Sequence, residues 1–311
     1  MPHYRVHGMT VASDLPLPPL LAESDLTEHA AADVQIIAGD VPEHLPTAEI
    51  TREHYQAAPA AVLMRAPDVG QMHITGGNRI TYRLDAGERA TDFAAHLLGS
   101  GCAIIHQQRG NVVLHGASLC RDGLAFLVCG VSGVGKSTLA AHVLEAGGQT
   151  LGDDVCHIGD APGFLAHPGP PSTKLASDAL QTLASYRGLP QHGLCPSGKT
   201  ILSTADRFTA TPHPLGGIIM LDWAFEHEAV TATRLAPGEA IAALRENTFR
   251  KRCITSDIAQ TLFSKWSALA QSVPIWRITR PEGRDTQAEI VEIASGLLAQ
   301  MQRQPALGGM K

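Results

Sequence analysis

Residues 130–137 read Gly130-Val131-Ser132-Gly133-Val134-Gly135-Lys136-Ser137 and fill the pattern G-x-x-x-x-G-K-[ST] at every fixed position. The flanks narrow the fold further. Leu124–Cys129 is a continuous apolar run suited to a buried strand. Ser137–Ala146 carries Leu139, Val143 and Leu144 at helical spacing, and Gly147-Gly148 ends it. Strand, glycine-rich turn and helix in that order are the context of a phosphate-binding P-loop. Glycines let the backbone bend around an anion where a Cβ would block close approach. The loop N–H groups and the helix N-terminus then point at phosphates. Nothing structural demands lysine followed by serine after such a turn. Gly130, Ser132, Gly133, Val134, Gly135, Lys136, Ser137 and Thr138 are therefore the expected nucleotide-binding set. Lys136 is expected to reach the β- and γ-phosphates and the Ser137 hydroxyl to bind Mg²⁺. The cofactors expected are ATP and Mg²⁺.

A second feature follows the loop. The strand Gln149-Thr150-Leu151 runs into Asp153-Asp154, which is read as its end, and a right-handed crossover should place that doublet near the phosphates. One carboxylate would serve the metal and the other would take the proton of an attacking hydroxyl; the plain alternative is a solvated acidic turn. Asp222 is the rival for the metal, since it follows the hydrophobic strand Ile218–Leu221, but a turn residue closing a strand reads the same way. His115 ends the strand before the P-loop strand, a position where histidine is more often structural. Lys174 and Arg250 are candidates for phosphate or substrate contact, although the run Arg250-Lys251-Arg252 also reads as a solvated helix face. No NKxD, no LSGGQ-like run and no GxGxxG is present, which disfavours a GTPase, an ABC ATPase and a nicotinamide-binding unit.

Composition excludes other classes. With 311 residues, 44% apolar and 17% charged, the chain has enough material for a real core and is not a disordered polymer. A net charge of −6 speaks against a nucleic-acid partner. No apolar run approaches the ~18 residues of a membrane span. Nothing at the N-terminus has signal-peptide length, so a cytoplasmic location is expected. The six cysteines form no CxxC pair and read as reduced, buried thiols.

The first hundred residues show short alternating runs: 33–37, 61–64, 71–75 and 79–84. Turn signals separate them, and a short helix is expected over 91–98. From about residue 111 longer buried strands alternate with helices. The expected division is a small β-rich domain at 1–108, an α/β P-loop domain at 109–304 and a flexible tail at 305–311. Further helices are expected near 177–186, from Pro237, over 256–271 and over 286–302. The Gly/Pro-rich stretch 159–172 is read as a loop or tight hairpin.

The stretch from His115 to Asp154 resembles the catalytic core of HPr kinase/phosphorylase. A strand ends in His115-Gly116, then come the loop Gly130–Ser137, a helix and a strand ending in Asp153-Asp154, in the same order and spacing. The resemblance implies a kinase core of the HPr kinase/phosphoenolpyruvate carboxykinase type that moves the γ-phosphoryl of ATP to a serine. Carried over by position, His115 would orient or tune the acidic pair. Asp154 would be the general base, and Asp153 would join Ser137 at the metal. Thr138 stands where the bacterial HPr enzymes usually carry glutamate, and their second glycine-rich signature has no clear counterpart. The N-terminal run from Tyr4 is instead similar to HPr-kinase-related proteins encoded with peptide-tailoring genes, some of which phosphorylate a lasso precursor peptide. That implies a serine-bearing peptide or small protein as acceptor, and the resemblance is compatible with a homo-oligomer. A small-molecule hydroxyl kinase and a nucleotide-dependent regulatory protein are the alternatives.

Overall fold

The computed structural model describes residues 1–18, 20, 31–86, 90–160, 163–195, 198–224 and 229–303. The expected flexible tail at 305–311 lies outside the described residues. The chain divides into two compact units: Met1–Val113 with Phe249–Ser264, and Leu114–Thr248 with Lys265–Lys311.

The first unit is built on one eight-stranded sheet. Its strands are β1 (His3–Val6), β2 (Met9–Ser13), β3 (Val34–Ala38), β4 (Ile50–Arg52), β5 (Tyr55–Ala58), β6 (Ala61–Ala66), β7 (Gly70–Thr75) and β8 (Arg79–Leu84). Their order is β1-β2-β3-β8-β7-β6-β5-β4. Alternation along the strands sends Val62 and Met64, Met72 and Ile74, and Ile80 and Tyr82 into one core. Helix α1 (Ala90–His96), a π turn at Leu97–Gly101 and helix α2 (Cys102–Gln108) supply Phe93, Leu97, Ile104 and Ile105 to that same core. The helical stretch is thus longer than the 91–98 read from the sequence. Gly99 and Gly101 lower its intrinsic propensity, and burial of the apolar side chains around them overrides this.

The remaining elements, in chain order, begin with β9 (Val112–Arg121), β10 (Leu124–Gly130), α3 (Lys136–Glu145), β11 (Gln149–Gly159) and β12 (Leu165–Ala166). Next come β13 (Ser172–Leu175), α4 (Ser177–Thr182), β14 (Gln191–Leu194), β15 (Thr200–Ser203), β16 (His213–Ala224) and β17 (Thr231–Arg234). Helices α5 (Pro237–Glu246) and α6 (Ser256–Ser272), strand β18 (Ile275–Pro281) and helix α7 (Gln287–Arg303) complete the series.

A seven-stranded sheet runs β10-β9-β11-β12-β16-β18-β17, and β10 also pairs with β16, so the order closes on itself. Strands β10, β16 and β18 are parallel neighbours, and their Val128, Ile219 and Ile278 are fully buried. Leu139 and Val143 of α3 and Ile290 and Leu297 of α7 join them in one core. A separate antiparallel sheet, β13-β15-β14, places Leu175 and Leu202 in a cluster with Ala141 and Leu144 of α3. The architecture is mixed α/β with several sheets.

One sequence expectation is corrected here. Strand β11 does not end at the aspartate doublet; it runs through it to Gly159. The stretch 159–172, read as a loop or tight hairpin, carries β12, which pairs antiparallel with β11 and also with β16. Strands β14, β15 and β17 have no strong sequence signal: two are short and mixed in composition, and every residue of β17 is exposed.

One tight turn matters for the site. Asp122 and Gly123 take φ of 52° and 77°, the left-handed pair of a two-residue hairpin joining β9 to β10. That turn fixes the register Cys129↔Gly116. His115 is therefore set beside Gly130, where the glycine-rich loop begins.

Candidate functional site

The loop leaves β10 at Gly130, which faces Leu221 of β16. A Cβ at Gly130 would sit 2.3 Å from the Leu221 carbonyl oxygen, and its φ is 142°, so only glycine passes this point. Val134 is completely buried and anchors the middle of the loop in the core, while Ser132 and Gly133 are exposed. Lys136 opens α3 and folds back, donating from Nζ to the carbonyl oxygens of Gly130 (2.8 Å) and Val131 (3.0 Å). Burial lowers the pKa of this ammonium; Asp153 and Asp154 oppose the shift and Lys199 adds to it. Ser137 and Thr138 are half-buried on the first turn of the helix.

Arg280, near the end of β18, supports the loop from beneath. Its Nη1 donates to the Val134 carbonyl at 3.2 Å, and its guanidinium lies over the Trp223 ring, 4.6 Å from the centroid. Burial also lowers the pKa of this group, with Asp285 opposing.

The acidic doublet comes to the same place from β11. Asp154 has φ of 75°, a left-handed conformation that aspartate tolerates better than most residues. Its carboxylate is held at both oxygens: His115 Nδ1 lies 3.1 Å from Oδ1, and Lys174 Nζ donates to Oδ2 at 2.7 Å. His115 Nδ1 is also 3.2 Å from the Asp154 carbonyl oxygen. Both neighbours are acceptors, so Nδ1 is assigned the proton. Burial pushes the Asp154 carboxyl upward, but hydrogen bonding from His115 and the charge of Lys174 outweigh it and hold the group well below the ordinary carboxylate range. Lys174 shows the complement: burial lowers its pKa, the Asp154 charge raises it, and the net direction is up.

Asp153 faces a different set. Its Oδ2 accepts from Thr173 Oγ1 (2.9 Å) and from the Lys174 backbone N–H (3.0 Å). Consecutive residues of β13 thus grip both members of the doublet. Asp153 and Ser137 line one narrow crevice with Thr173, Tyr186 and Thr204.

The structure therefore brings the loop, His115, Asp153, Asp154 and Lys174 together in the second unit. It places Arg250 in the first unit, where Nε donates to Ser100 Oγ at 2.9 Å. Asp222 lies one residue past Leu221 on β16. It is exposed, and its Oδ1 accepts from the adjacent Trp223 N–H at 3.0 Å. Thr173, Lys199 and Arg280 were not anticipated. Each sits in a segment without a motif, and only the tertiary pairing of β13, β15 and β18 carries them to the loop.

Among the described residues no cluster of three or more His, Cys, Asp or Glu would hold a metal unaided. A phosphate-bound Mg²⁺ does not require one, since it takes one or two protein oxygens plus phosphate oxygens and waters. Ser137 and Asp153 fit that demand, because they are the hydroxyl and carboxylate that share the crevice under the loop. No helix among the described residues is long and apolar enough to cross a membrane. All six cysteines are buried and none forms a disulfide.

The ion pair can be tested alone. Lys174→Met is expected to cost about 2 kcal/mol near neutral pH, since it strips a largely buried carboxylate of its counter-ion. Asp154, with its pKa depressed, contributes stability above its ordinary value of 3.8 and loses that contribution as pH falls. Lys174, with its pKa raised, contributes below 10.5 and loses that contribution as pH rises through its raised value. The variant's deficit in urea denaturation should therefore be full near pH 7 and shrink below 3.8. A deficit that does not change with pH would mean the lysine acts by packing alone.

No family model matches the chain, and no curated protein matches it. A solved structure similar to it is the Hpr(Ser) kinase/phosphatase from Coxiella burnetii, with 13% identity and a TM-score of 0.31 over 61% of this chain and 98% of that one. A likeness that loose carries no chemistry, which has to come from the side chains themselves.

Proposed function

We propose that the chain is an ATP-dependent kinase that transfers the γ-phosphoryl group to a hydroxyl, with a serine-bearing peptide or small protein as acceptor. The observation that carries this reading is the convergence of a complete GxxxxGKS loop with an ion-paired aspartate doublet. Asp153 and Asp154 are near enough to Lys136 to shift its titration, and His115 and Lys174 lock Asp154 in place. A nucleotide holder needs the loop but has no use for a second, pre-ionised carboxylate beside it. The peptide acceptor rests on the sequence resemblance alone, and a precursor peptide of the lasso type is its narrowest form.

In this mechanism Lys136 and the loop N–H groups bind and align the phosphates. Ser137 and Asp153 would hold Mg²⁺, which supplies neutralisation of the phosphate charge when bound. The acceptor oxygen forms a bond to the γ-phosphorus as the bond to the β–γ bridging oxygen breaks, and that electron pair leaves with ADP. The hydroxyl proton passes to the Asp154 carboxylate. A weakly basic carboxylate suffices, because the transition state is loose and the proton leaves late. His115, donating from Nδ1, fixes the carboxylate oxygen that faces it and favours its ionised form.

The test is transfer of labelled phosphate from γ-labelled ATP to a serine-bearing peptide, with Asp153→Asn compared against Asp222→Asn. The proposal expects Asp153→Asn to raise the Mg²⁺ concentration needed for half-maximal rate by about tenfold or more, the usual effect of losing a metal-site partner. Asp222→Asn should stay near wild type. The reverse ranking would move the metal to β16.

A further inference from the structure

We infer that Lys199 is a second cation for the transferring phosphoryl group, carried to the mouth of the loop by the β14–β15 hairpin. This rests on the kinase reading and adds to it the group that faces the terminal phosphate.

Position supports it first. The helix N-terminus, Gly135 to Ser137, takes the inner phosphates of a bound chain. The lysine of such a loop reaches onward to the terminal one, and Lys136 Nζ lies over the Gly130 and Val131 carbonyls. The start of the loop therefore marks the terminal-phosphate side. Lys199 stands there, with Nζ 3.4 Å from Ser132 Oγ.

The hairpin geometry shows how it is held. The Lys199 carbonyl accepts from the Cys195 N–H at 2.9 Å, and the Cys195 carbonyl accepts from the Gly198 N–H at 2.8 Å. Those bonds hold Cys195, Gly198 and Lys199 against one another, and the three-stranded sheet is anchored on α3 through Leu175 and Leu202. Lys199 itself is only half-buried, so its four-carbon stem can follow a ligand.

Electrostatics gives the second support: the Lys199 ammonium lies at Ser132 Oγ and the Lys136 ammonium over the Gly130 and Val131 carbonyls, at the same end of the loop. Two ammonium groups gathered over one loop repel each other, and an anion between them reverses the sign of that interaction. Two described cations near the loop are engaged on other groups: Lys174 on Asp154, and Arg280 on the Val134 carbonyl and Trp223. A terminal phosphate carries more charge than an inner one and gains further charge density on its equatorial oxygens during transfer. Lys199 would neutralise that charge while keeping its own protons.

The experiment compares ADP with a non-hydrolysable ATP analogue, each with Mg²⁺, by calorimetric titration of the full-length protein. In Lys199→Gln the affinity for the triphosphate analogue should fall about 10- to 100-fold, and the affinity for ADP by less than about threefold. Lys199→Arg should recover most of the loss. An equal fall for both nucleotides, or no fall for either, overturns the inference while the kinase reading stands. If the wild-type protein binds neither nucleotide, both fall together. Thermal unfolding of each variant separates loss of the cation from loss of the hairpin, since a substitution that only removes charge leaves the melting temperature within about 2 °C.

Discussion

Asp154→Asn is expected to lower phosphoryl transfer by about two to four orders of magnitude and to leave nucleotide affinity within a few-fold. Asparagine is the right probe because it accepts the left-handed backbone at φ of 75° nearly as well as aspartate. It also keeps an oxygen to receive the His115 Nδ1 proton. What disappears is the charge. Lys174 then loses its partner, and the acceptor hydroxyl loses the group that takes its proton. A drop of about 2 kcal/mol in stability should accompany the change, because the ammonium at 174 is mostly buried. The kinetic effect has to exceed what unfolding explains, so rate and fraction folded must be measured at one temperature. A rate constant within a few-fold of wild type would remove Asp154 from the chemistry and leave it a structural anchor for β13.

Lys136→Ala should act on binding and turnover alike. The ammonium makes two charge-assisted hydrogen bonds to the loop, so its loss removes a phosphate ligand and also loosens the cradle. Charge-assisted bonds are worth about 1.5–3 kcal/mol each, so affinity for ATP should fall by more than about 100-fold. Lys136→Arg should rescue little, because a planar fork does not fit where the loop encloses a single point charge. Affinity retained in Lys136→Ala would mean that the nucleotide, if bound, lies elsewhere.

Much of the site was legible from sequence because its residues sit where local rules are strict. The loop from Gly130 to Ser137 is such a place, and there the backbone and the chemistry demand the same residues. His115 was flagged only through the resemblance, since a histidine at a strand end is more often structural, and the hairpin across the Asp122-Gly123 turn is what sets its register. The doublet was read as the end of a strand, whereas β11 continues and Asp154 turns its side chain by adopting φ of 75° within it. The residues that escaped are those recruited by tertiary pairing. Lys174 was read as a candidate for phosphate or substrate contact, and its neighbour Asp154 is set by the side-by-side packing of β11 and β13. Lys199 and Arg280 reach the loop through strands with no distinctive pattern of their own. Arg250 shows the converse: a basic run drew attention, and the fold assigns it to the first unit.

In the N-terminal unit, alternation in β6, β7 and β8 made the sheet readable. The helical stretch to Gln108 was not, because Gly99 and Gly101 signal an ending that buried Leu97, Ile104 and Ile105 override.

Transfer to an acceptor requires a terminal phosphate lying against Asp154 when a nucleotide fills the loop. A crystal structure with Mg²⁺ and a non-hydrolysable ATP analogue measures this directly. The prediction is a triphosphate wrapped by residues 130–137, with its γ-phosphorus about 5–6 Å from the Asp154 carboxylate, which leaves room for one hydroxyl between them. A nucleotide bound away from the loop, or a γ-phosphate directed away from Asp153, Asp154 and His115, would contradict it.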